Sequence, residues 1–291
     1  MNAAPSIAPS RGSSVAPVVA PWPLRTWRGV TSSFAAPLMG VGGWWISHSR
    51  RSGLPQQLAK GLVIVLSGIE GSGPLSWNIC KGIEDGGFSG AIVNWEWTTG
   101  YWPLFLYHLR GSRRNRRAAN KLAEFILQYE REYPNRPIYI LGHSGGGAMI
   151  ALTLEALPER EIVRDAVMLG PALSHNYDLT AALKRVCDSL WNHWSYGDAF
   201  LCAAGTLACG CVDGRHTLSA GFRGFSMPQD PIKRELYERK LRQVRWSPRF
   251  AKQFHLGGHF GLANRVFVAE TIAPILKDCL AEERENESLE K

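Results

Sequence analysis

The stretch that decides the fold is Pro137-Ile-Tyr-Ile-Leu-Gly-His-Ser-Gly-Gly-Gly-Ala-Met149. Its apolar residues 138–141 predict a buried strand, and the run from Ala148 onward predicts a helix. A strand that turns at once into a helix forces the turning residue, Ser144, into strained backbone angles. Its neighbours must be glycine, because a Cβ there would collide with the strand or the helix. The serine oxygen therefore projects from the tip of the turn, beside the free N–H groups of a helix N-terminus.

Residues 142–146 match the pattern Gly-x-Ser-x-Gly, which is a weak signal by itself because loops are rich in glycine and serine. The alternative is a phosphate-binding glycine loop or an ordinary turn. A Walker loop would end in Gly-Lys followed by Ser or Thr, and no lysine follows this turn. The preceding strand and the following helix favour a nucleophilic serine.

Length and periodicity predict a single α/β domain. The chain has 291 residues, of which 45% are apolar, enough for a large core. Strand patterns alternate with helical ones, which favours a mostly parallel sheet with helices on both faces. The predicted strands span 62–66, 91–95, 138–141, 166–169, 189–194 and 250–256, and the predicted helices span 118–133, 181–187, about 235–243 and about 265–280.

Charge and cysteine content exclude some classes of protein. The net charge is +8, but the arginine cluster at 110–117 has no aromatic interleaving and no recognition-helix pattern, so we expect no specific nucleic-acid partner. The six cysteines are dispersed and lack the paired spacing of a zinc site. We therefore expect reduced thiols and no metal.

The two ends of the chain are predicted to lie outside the folded domain. We expect a disordered or loosely packed arm over 1–57, the domain over 58–280 and an acidic tail over 281–291. Residues 29–47 are uncharged and rich in large apolar side chains, which leaves export or membrane association as an alternative. Glycines, Pro37 and arginines on both flanks argue against it. The expectation is a cytoplasmic protein with at most weak membrane-surface contact through the arm.

The turn at Ser144 resembles the nucleophile elbow of the α/β-hydrolase superfamily, and the resemblance extends over roughly residues 60–280. It implies an α/β-hydrolase fold, and the short segment Pro171 to Thr180, where a lid is common in this superfamily, predicts that a large separate lid domain is absent. In this superfamily the catalytic residues follow in the order Ser, Asp or Glu, His. The resemblance therefore assigns Ser144 as nucleophile, His259 in the loop 257–261 as base, and Asp198 as the acid that orients the base.

Other residues compete for the acid and base roles. Asp213 is the alternative acid, although Asp-Gly is also an ordinary turn signal. His255 lies inside a predicted strand, and His175 and His216 lie on loops, so they rank behind His259. His143, inside the elbow, is expected to be a packing or hydrogen-bonding neighbour.

The oxyanion formed in acyl transfer needs two N–H donors. The resemblance assigns the backbone N–H of Gly145, directly after the nucleophile, and that of Ile69 in the loop 67–73. A carboxylate facing the oxyanion would oppose it, so Glu70 is expected to point into solvent or to pair with an arginine.

The activity implied by the resemblance is cleavage of a small-molecule carboxylic ester through an acyl-enzyme, with no cofactor. Thioesterases, amidases, peptidases and acyltransferases share the same elbow, and a non-catalytic binding or membrane-associated scaffold is a further alternative. A scaffold, however, has no need of a complete Ser-Asp-His set. About fifty residues separate Asp198 from the last predicted strand, and this insertion either lines an acyl pocket or packs in the core. The same alternatives apply to Trp95, Trp97, Tyr101 and Trp102.

Overall fold

The computed structural model describes residues 20–34, 51–52 and 55–276, which form one seven-stranded sheet in the order β1-β3-β2-β4-β5-β6-β7. All neighbours pair in parallel except the short edge strand β1, which is antiparallel to β3. The strands are β1 (Arg51–Ser52), β2 (Leu62–Leu66), β3 (Ala91–Trp95), β4 (Ile138–His143), β5 (Val163–Leu169), β6 (Val186–Trp194) and β7 (Leu241–Arg245).

Helices connect these strands and cover the sheet. The α-helices are α1 (Trp22–Ser33), α2 (Pro55–Leu58), α3 (Pro74–Asp85), α4 (Phe105–Arg110), α5 (Ser112–Glu132), α6 (Gly145–Ala156), α7 (Thr180–Leu183), α8 (Thr206–Cys209), α9 (Ala220–Arg223), α10 (Pro231–Lys240) and α11 (Arg265–Phe267). Turns of 3-10 or π-helix occur at Trp102–Leu104, Ala199–Gly205, Pro248–Gln253, His259–Ala263, Val268–Ile272 and Ala273–Ile275.

Two apolar cores lie on opposite faces of the sheet, which confirms the predicted α/β architecture. Alternate residues of β2 divide between them. Leu62 and Ile64 pack with residues of α5 and α6, whereas Val63 and Val65 pack with residues of α3 and the C-terminal helical turns. Because both faces of a parallel strand are buried, its sequence is a continuous apolar run without polar alternation. Among the described residues, no separate lid domain interrupts the sheet.

The structure corrects the predicted elements around β6 and β7. The helix predicted over 181–187 ends at Leu183, and β6 already begins at Val186, where it pairs with β5. The last strand is Leu241–Arg245, not 250–256. As an edge strand it leaves Arg242, Gln243 and Arg245 exposed, and its charged residues look like a continuation of the charged helix α10.

The predicted final helix over 265–280 is interrupted. α11 ends at Phe267 and is followed by a π-helical turn and a 3-10 turn. Pro274 lacks an N–H donor, and its ring crowds the carbonyl group four residues earlier, so regular α-helical bonding stops there. Residues 277–280 lie outside the described residues.

An N-terminal helix, α1, packs on the domain within the segment that the sequence predicts to be a disordered or loosely packed arm. In α1, Arg25 pairs with Glu270, and the carbonyl of Gly29 accepts a hydrogen bond of 2.9 Å from Asn264 Nδ2. Residues 1–19, 35–50, 53–54 and 277–291 lie outside the described residues, so the boundaries at 57/58 and 280/281 stay predictions. Membrane contact through residues 29–47 also stays a prediction. In the described parts of the chain, no helix is long and apolar enough to cross a bilayer.

Candidate active site

Ser144 is the single residue between β4 and α6, and its backbone has φ 54° and ψ −118°. It is one of three described non-glycine residues with positive φ, a conformation that L-residues rarely adopt. The flanking glycines are required by contact. A Cβ on Gly142 would lie 2.3 Å from the carbonyl oxygen of Gly146, and a Cβ on Gly146 would lie 2.3 Å from that of Ser67. The strained serine is therefore held by a turn that accepts no side chain at these two positions.

Asp198 and His259 form a buried pair at the same end of the sheet. Asp198 follows β6, His259 begins a 3-10 turn, and Asp198 Oδ2 bonds His259 Nδ1. Burial lowers the pKa of His259, but the charge of Asp198 and its hydrogen bond raise it, and the net pKa is well above the ordinary value. Asp198 Oδ1 also accepts a hydrogen bond of 3.2 Å from the N–H of Cys202. The carboxylate is thus fixed and leaves the imidazole Nε2 free for other chemistry.

His143 connects this pair to the elbow. Its ring centroid lies 4.6 Å from that of His259, and its Nε2 is 3.2 Å from the carbonyl oxygen of His259. Burial and the neighbouring charge of His259 lower the pKa of His143 to about 3, so the ring is neutral and Nε2 donates. The structure records no hydrogen bond between Ser144 Oγ and His259. Such bonds are often long before substrate binds.

The competing sequence candidates are located elsewhere. Asp213 accepts a hydrogen bond of 3.2 Å from the N–H of Ser174 and bonds no described histidine. His255 packs in the core, 4.9 Å from the ring of Phe267. The imidazoles of His175 and His216 form no hydrogen bond with either aspartate; that of His216 bonds the carbonyl of Leu207. The structure therefore brings Asp198, and not Asp213, to His259.

The two residues that the resemblance assigns as oxyanion donors, Gly145 and Ile69, lie close together. Gly145 is the first residue of α6, where N–H groups have no partner within the helix. A Cβ built on Gly145 would lie 3.4 Å from the nitrogen of Ile69 and 2.5 Å from its Cγ2. Trp97 Nε1 donates a hydrogen bond of 2.7 Å to the carbonyl of Ser67 and so anchors the start of the loop. The pair of N–H groups is consistent with an oxyanion hole.

His108 is a residue near the site that sequence reasoning missed. The N–H of Thr99 donates to its Nε2 at 3.2 Å, so that nitrogen is the acceptor. Nδ1 therefore carries the proton and donates to the carbonyl of Ile69 at 2.7 Å. Burial lowers the pKa of His108, in keeping with a neutral ring. Nothing in the local sequence links His108 to Ile69, because only the packing of α4 against the loop brings them together.

Glu70 differs from its sequence prediction. No arginine pairs with it among the described residues, and its side chain folds back over Gly68, where a Cβ would lie 2.1 Å from Glu70 Oε2. Its Oε1 is buried without a hydrogen-bond partner. Burial raises the pKa of Glu70 to about 7. Beside an oxyanion hole, this carboxyl is compatible with a developing negative charge only while it is protonated.

Cys202 is a second neighbour that the sequence did not indicate, although it lies one helical turn after Asp198. Its Sγ donates to the carbonyl of Gly170 at 3.4 Å and lies 3.6 Å from His259 Nδ1. In the described part of the chain, Asp198, Cys202 and His259 are the one group whose ligand atoms lie close enough, within 4.8 Å, to hold a metal. Burial raises the pKa of the Cys202 thiol, so it remains a protonated donor. The candidate ligand atoms therefore already have hydrogen-bond partners: Asp198 Oδ2 bonds His259 Nδ1, and the thiol donates to Gly170.

Exposed apolar side chains lie beside the oxyanion loop and the start of the insertion. α4, which carries His108, contacts α8, which follows the turn that begins after Asp198. The exposed residues on these two segments are Tyr101, Leu104, Phe105, Leu106, Tyr107, Phe200 and Leu207, here called the apolar rim. Trp95, in contrast, packs on Phe125 at 5.0 Å between ring centroids, and Trp97 is buried, so packing accounts for both. The side chain of Trp102 lies outside the described atoms.

A family model described as serine aminopeptidase, S33, matches residues 110–261, slightly more than half of the chain. The matched range includes the elbow, both candidate aspartates and His259. No curated protein sequence matches the chain.

Three solved structures to which the chain shows similarity are a hydrolase, an esterase and a peptidase. A CIB-like hydrolase from Thermoplasma acidophilum has 15% identity and a TM-score of 0.37, with 78% of this chain and 86% of that chain covered. Esterase B from Lactobacillus rhamnosis has 10% identity and a TM-score of 0.40, with coverage of 83% and 76%. An acylaminoacyl peptidase from Pyrococcus horikoshii has 15% identity and a TM-score of 0.39, with coverage of 72% and 36%.

Proposed function

The chain belongs to the α/β-hydrolase family described as serine aminopeptidase, S33, and on that premise we propose that it hydrolyses carboxylic esters through an acyl-enzyme. The observation that carries the proposal is the Asp198–His259 hydrogen bond beside a serine at a strained strand-to-helix turn. A serine hydroxyl needs a base to remove its proton and a third group to orient that base. Ser144, His259 and Asp198 are the candidates for the nucleophile, the base and the orienting acid.

In the proposed reaction, Ser144 Oγ attacks the ester carbonyl carbon while His259 Nε2 takes the hydroxyl proton. Asp198 stabilises the resulting imidazolium. The N–H groups of Gly145 and Ile69 donate to the carbonyl oxygen as it becomes negative. The tetrahedral intermediate then collapses, the bond to the alcohol oxygen breaks, and His259 returns the proton to the leaving alcohol.

Deacylation follows the same path in reverse order. His259 takes a proton from a water molecule, whose oxygen attacks the acyl carbon attached to Ser144. Collapse of this second intermediate releases the carboxylic acid, and His259 returns the proton to Ser144 Oγ. Ser144, His259, the ester and one water molecule account for every bond and proton in these steps, so the reaction needs no cofactor.

The apolar rim supports an ester with an apolar acyl or alcohol group. Phe200 is 82% exposed and Leu207 is 49% exposed, on the segment that directly follows Asp198. Exposed apolar clusters on a soluble surface commonly mark binding sites. An apolar substrate group laid against this rim would release water from both surfaces and so bind more tightly as its chain lengthens.

Hydrolysis of an aminoacyl amide is the second candidate, and two observations favour it. The family description refers to an aminopeptidase. Glu70, beside the oxyanion loop, has a buried carboxylate oxygen without a partner, which an ammonium group of a substrate would satisfy. An apolar ester has no such group.

Labelling with a fluorophosphonate probe tests the serine hydrolase mechanism. Wild-type protein should label, whereas Ser144→Ala should not, and His259→Ala should label at least about 100-fold more slowly because the nucleophile loses its base. Ser174→Ala, a buried serine outside the elbow, is the matched control and should label normally. Circular dichroism verifies that each variant is folded. Equal labelling of wild type and Ser144→Ala would contradict the mechanism.

A substrate panel separates the two candidates. For an esterase, kcat/KM should rise from p-nitrophenyl acetate toward medium-chain esters, and Glu70→Gln should not lower it. For an aminopeptidase, aminoacyl p-nitroanilides should be cleaved, and Glu70→Gln should raise their KM because the ammonium loses its partner. Cleavage of the anilides with a Glu70-dependent KM, in the absence of ester turnover, would replace the first proposal with the second.

A further inference from the structure

A cavity of about 230 Å³ lies on the flank of the domain, away from the elbow. It is formed between α5, α6 and the insertion that follows Asp198. Leu152, which contributes to its wall, lies two turns along α6 from Ser144, or about 12 Å at 1.5 Å per residue. The volume is below the roughly 300–1,000 Å³ typical of pockets for drug-sized ligands, so any ligand must be small.

One wall of the cavity carries a buried carboxylate that the proposed reaction does not use. The side chain of Asp213 is 7% exposed. Its Oδ1 accepts the hydrogen bond from Ser174, but its Oδ2 is buried without a hydrogen-bond partner. Arg215 Nε forms a long ion pair with this oxygen at 3.9 Å, too far for a hydrogen bond, and that arginine is 61% exposed. Because buried polar atoms are normally hydrogen-bonded, this carboxylate oxygen can accept a hydrogen bond from a ligand.

The remaining wall supplies positive charge. Arg116 and Arg215 line the cavity, and Arg116 has no hydrogen bond or ion pair with any described residue. Tyr177 also lines it, with its hydroxyl turned to Glu155 by a hydrogen bond of 2.6 Å. The apolar share of the lining comes from Leu152 and Val212. The cavity therefore presents an unsatisfied carboxylate oxygen and two guanidinium groups within one small volume.

We propose that this cavity binds a small zwitterion of the free amino-acid class, with its ammonium on Asp213 and its carboxylate on Arg116 and Arg215. A simple anion would satisfy the arginines but would be repelled by Asp213, and a simple cation would meet the reverse problem. A ligand that carries both charges a few bonds apart satisfies both walls. Guanidinium groups bind carboxylates through two parallel hydrogen bonds, which favours arginine in this role. The site is separate from Ser144, and the proposal does not depend on the esterase function.

Calorimetric titration of the full-length protein with alanine tests the proposal. Propionate and ethylammonium are the matched controls, because each is alanine without one of its charged groups. Alanine should bind, and each control should bind at least about ten-fold more weakly, since either one leaves one wall of the cavity unsatisfied.

Variants assign the binding to the cavity. Asp213→Asn and Arg116→Gln should each weaken alanine binding by at least about ten-fold, whereas Arg117→Gln, at the next position of the same helix and outside the cavity lining, should not change it. If Asp213→Asn fails to fold, Arg116→Gln still decides the result. Absence of alanine binding by the wild type up to about 10 mM, equal binding of propionate, or binding unaffected by both cavity variants would overturn the proposal.

Discussion

The candidate active site and the side cavity each contain a buried aspartate, and the two aspartates have different partners. The candidate active site comprises the loop 67–70, the elbow 142–146, Asp198 and His259; the side cavity comprises the pocket lined by Arg116, Asp213 and Arg215. The carboxylate of Asp198 bonds His259 and the N–H of Cys202. That of Asp213 accepts one hydrogen bond from a backbone N–H, and its other oxygen has no hydrogen bond and only a 3.9 Å ion pair with the exposed Arg215. A buried charge is costly without a partner, so the comparison separates a carboxylate satisfied by the protein from one that awaits a ligand.

Replacing each aspartate by asparagine gives the largest expected contrast. Asp198→Asn should lower kcat for p-nitrophenyl esters by about 10³–10⁴-fold, because His259 loses both its orientation and the stabilisation of its imidazolium form. Asp213→Asn should change kcat by less than about two-fold. Steady-state kinetics measures kcat for both variants. A larger loss of kcat in Asp213→Asn than in Asp198→Asn would contradict the assignment of Asp198 as the acid.

The same two variants should differ in the pH dependence of activity. His259 must be neutral to act as base, so activity should rise as pH increases through its raised pKa. Asp198→Asn removes the charge that raises this pKa and should move the rising limb of residual activity to lower pH. Asp213→Asn should leave the limb in place. If Asp198→Asn leaves the rising part of the pH–activity profile unchanged, a group other than Asp198 sets the pKa of the base.

Two glycines test how tightly each region is packed. A Cβ on Gly146 would lie 2.3 Å from the backbone carbonyl oxygen of Ser67, so Gly146→Ala should destabilise the protein by about 3 kcal/mol or more. Gly214, near the cavity, has φ 84° and nothing within 4 Å of a built Cβ, so Gly214→Ala should cost only about 1–2 kcal/mol of conformational strain. Urea unfolding of both variants measures the difference. Equal decreases in the free energy of unfolding would mean that the elbow relaxes around the added methyl group.

Two histidines test the support of the oxyanion loop. His108→Phe retains an aromatic ring but removes the hydrogen bond to the carbonyl of Ile69, and kcat should fall by about ten-fold as the loop loses its position. His216→Phe, in the insertion, should change kcat by less than about two-fold. Kinetics with thermal unfolding as a folding check distinguishes the two. Unchanged kcat in a folded His108→Phe variant would exclude a positioning role.

The smallest expected effect concerns two carboxyl groups. Glu70 has a pKa of about 7, so it is neutral below that pH and charged above it, where its charge opposes the oxyanion. Glu70→Gln should match the wild type for ester substrates near pH 6 and exceed it by roughly three- to ten-fold near pH 8.5. Glu155→Gln, beside the side cavity, should follow the wild type throughout. A ratio for Glu70→Gln that does not change with pH would contradict this role.

Sequence reasoning worked best where local pattern and tertiary environment agree. β2 and β3 match the predicted strands residue for residue, because β2 is apolar and buried throughout and β3 begins with three buried apolar residues. It failed at β7, where an exposed edge strand carries charged residues that continue the pattern of the preceding helix. It also failed for Glu70, because burial of a carboxyl group over Gly68 depends on the path of the whole loop.

The order and spacing of residues established the elbow, the parallel α/β sheet and the short set of candidate acids and bases. These features depend on local geometry: a strand-to-helix turn without side chains, and apolar periods that only buried strands and amphipathic helices produce. Tertiary structure decided which aspartate meets His259, which side chains hold the oxyanion loop, and where an unpartnered carboxylate lies. Those outcomes depend on contacts between segments far apart in the chain, such as Asp198 with His259 and His108 with Ile69, and no local pattern records them.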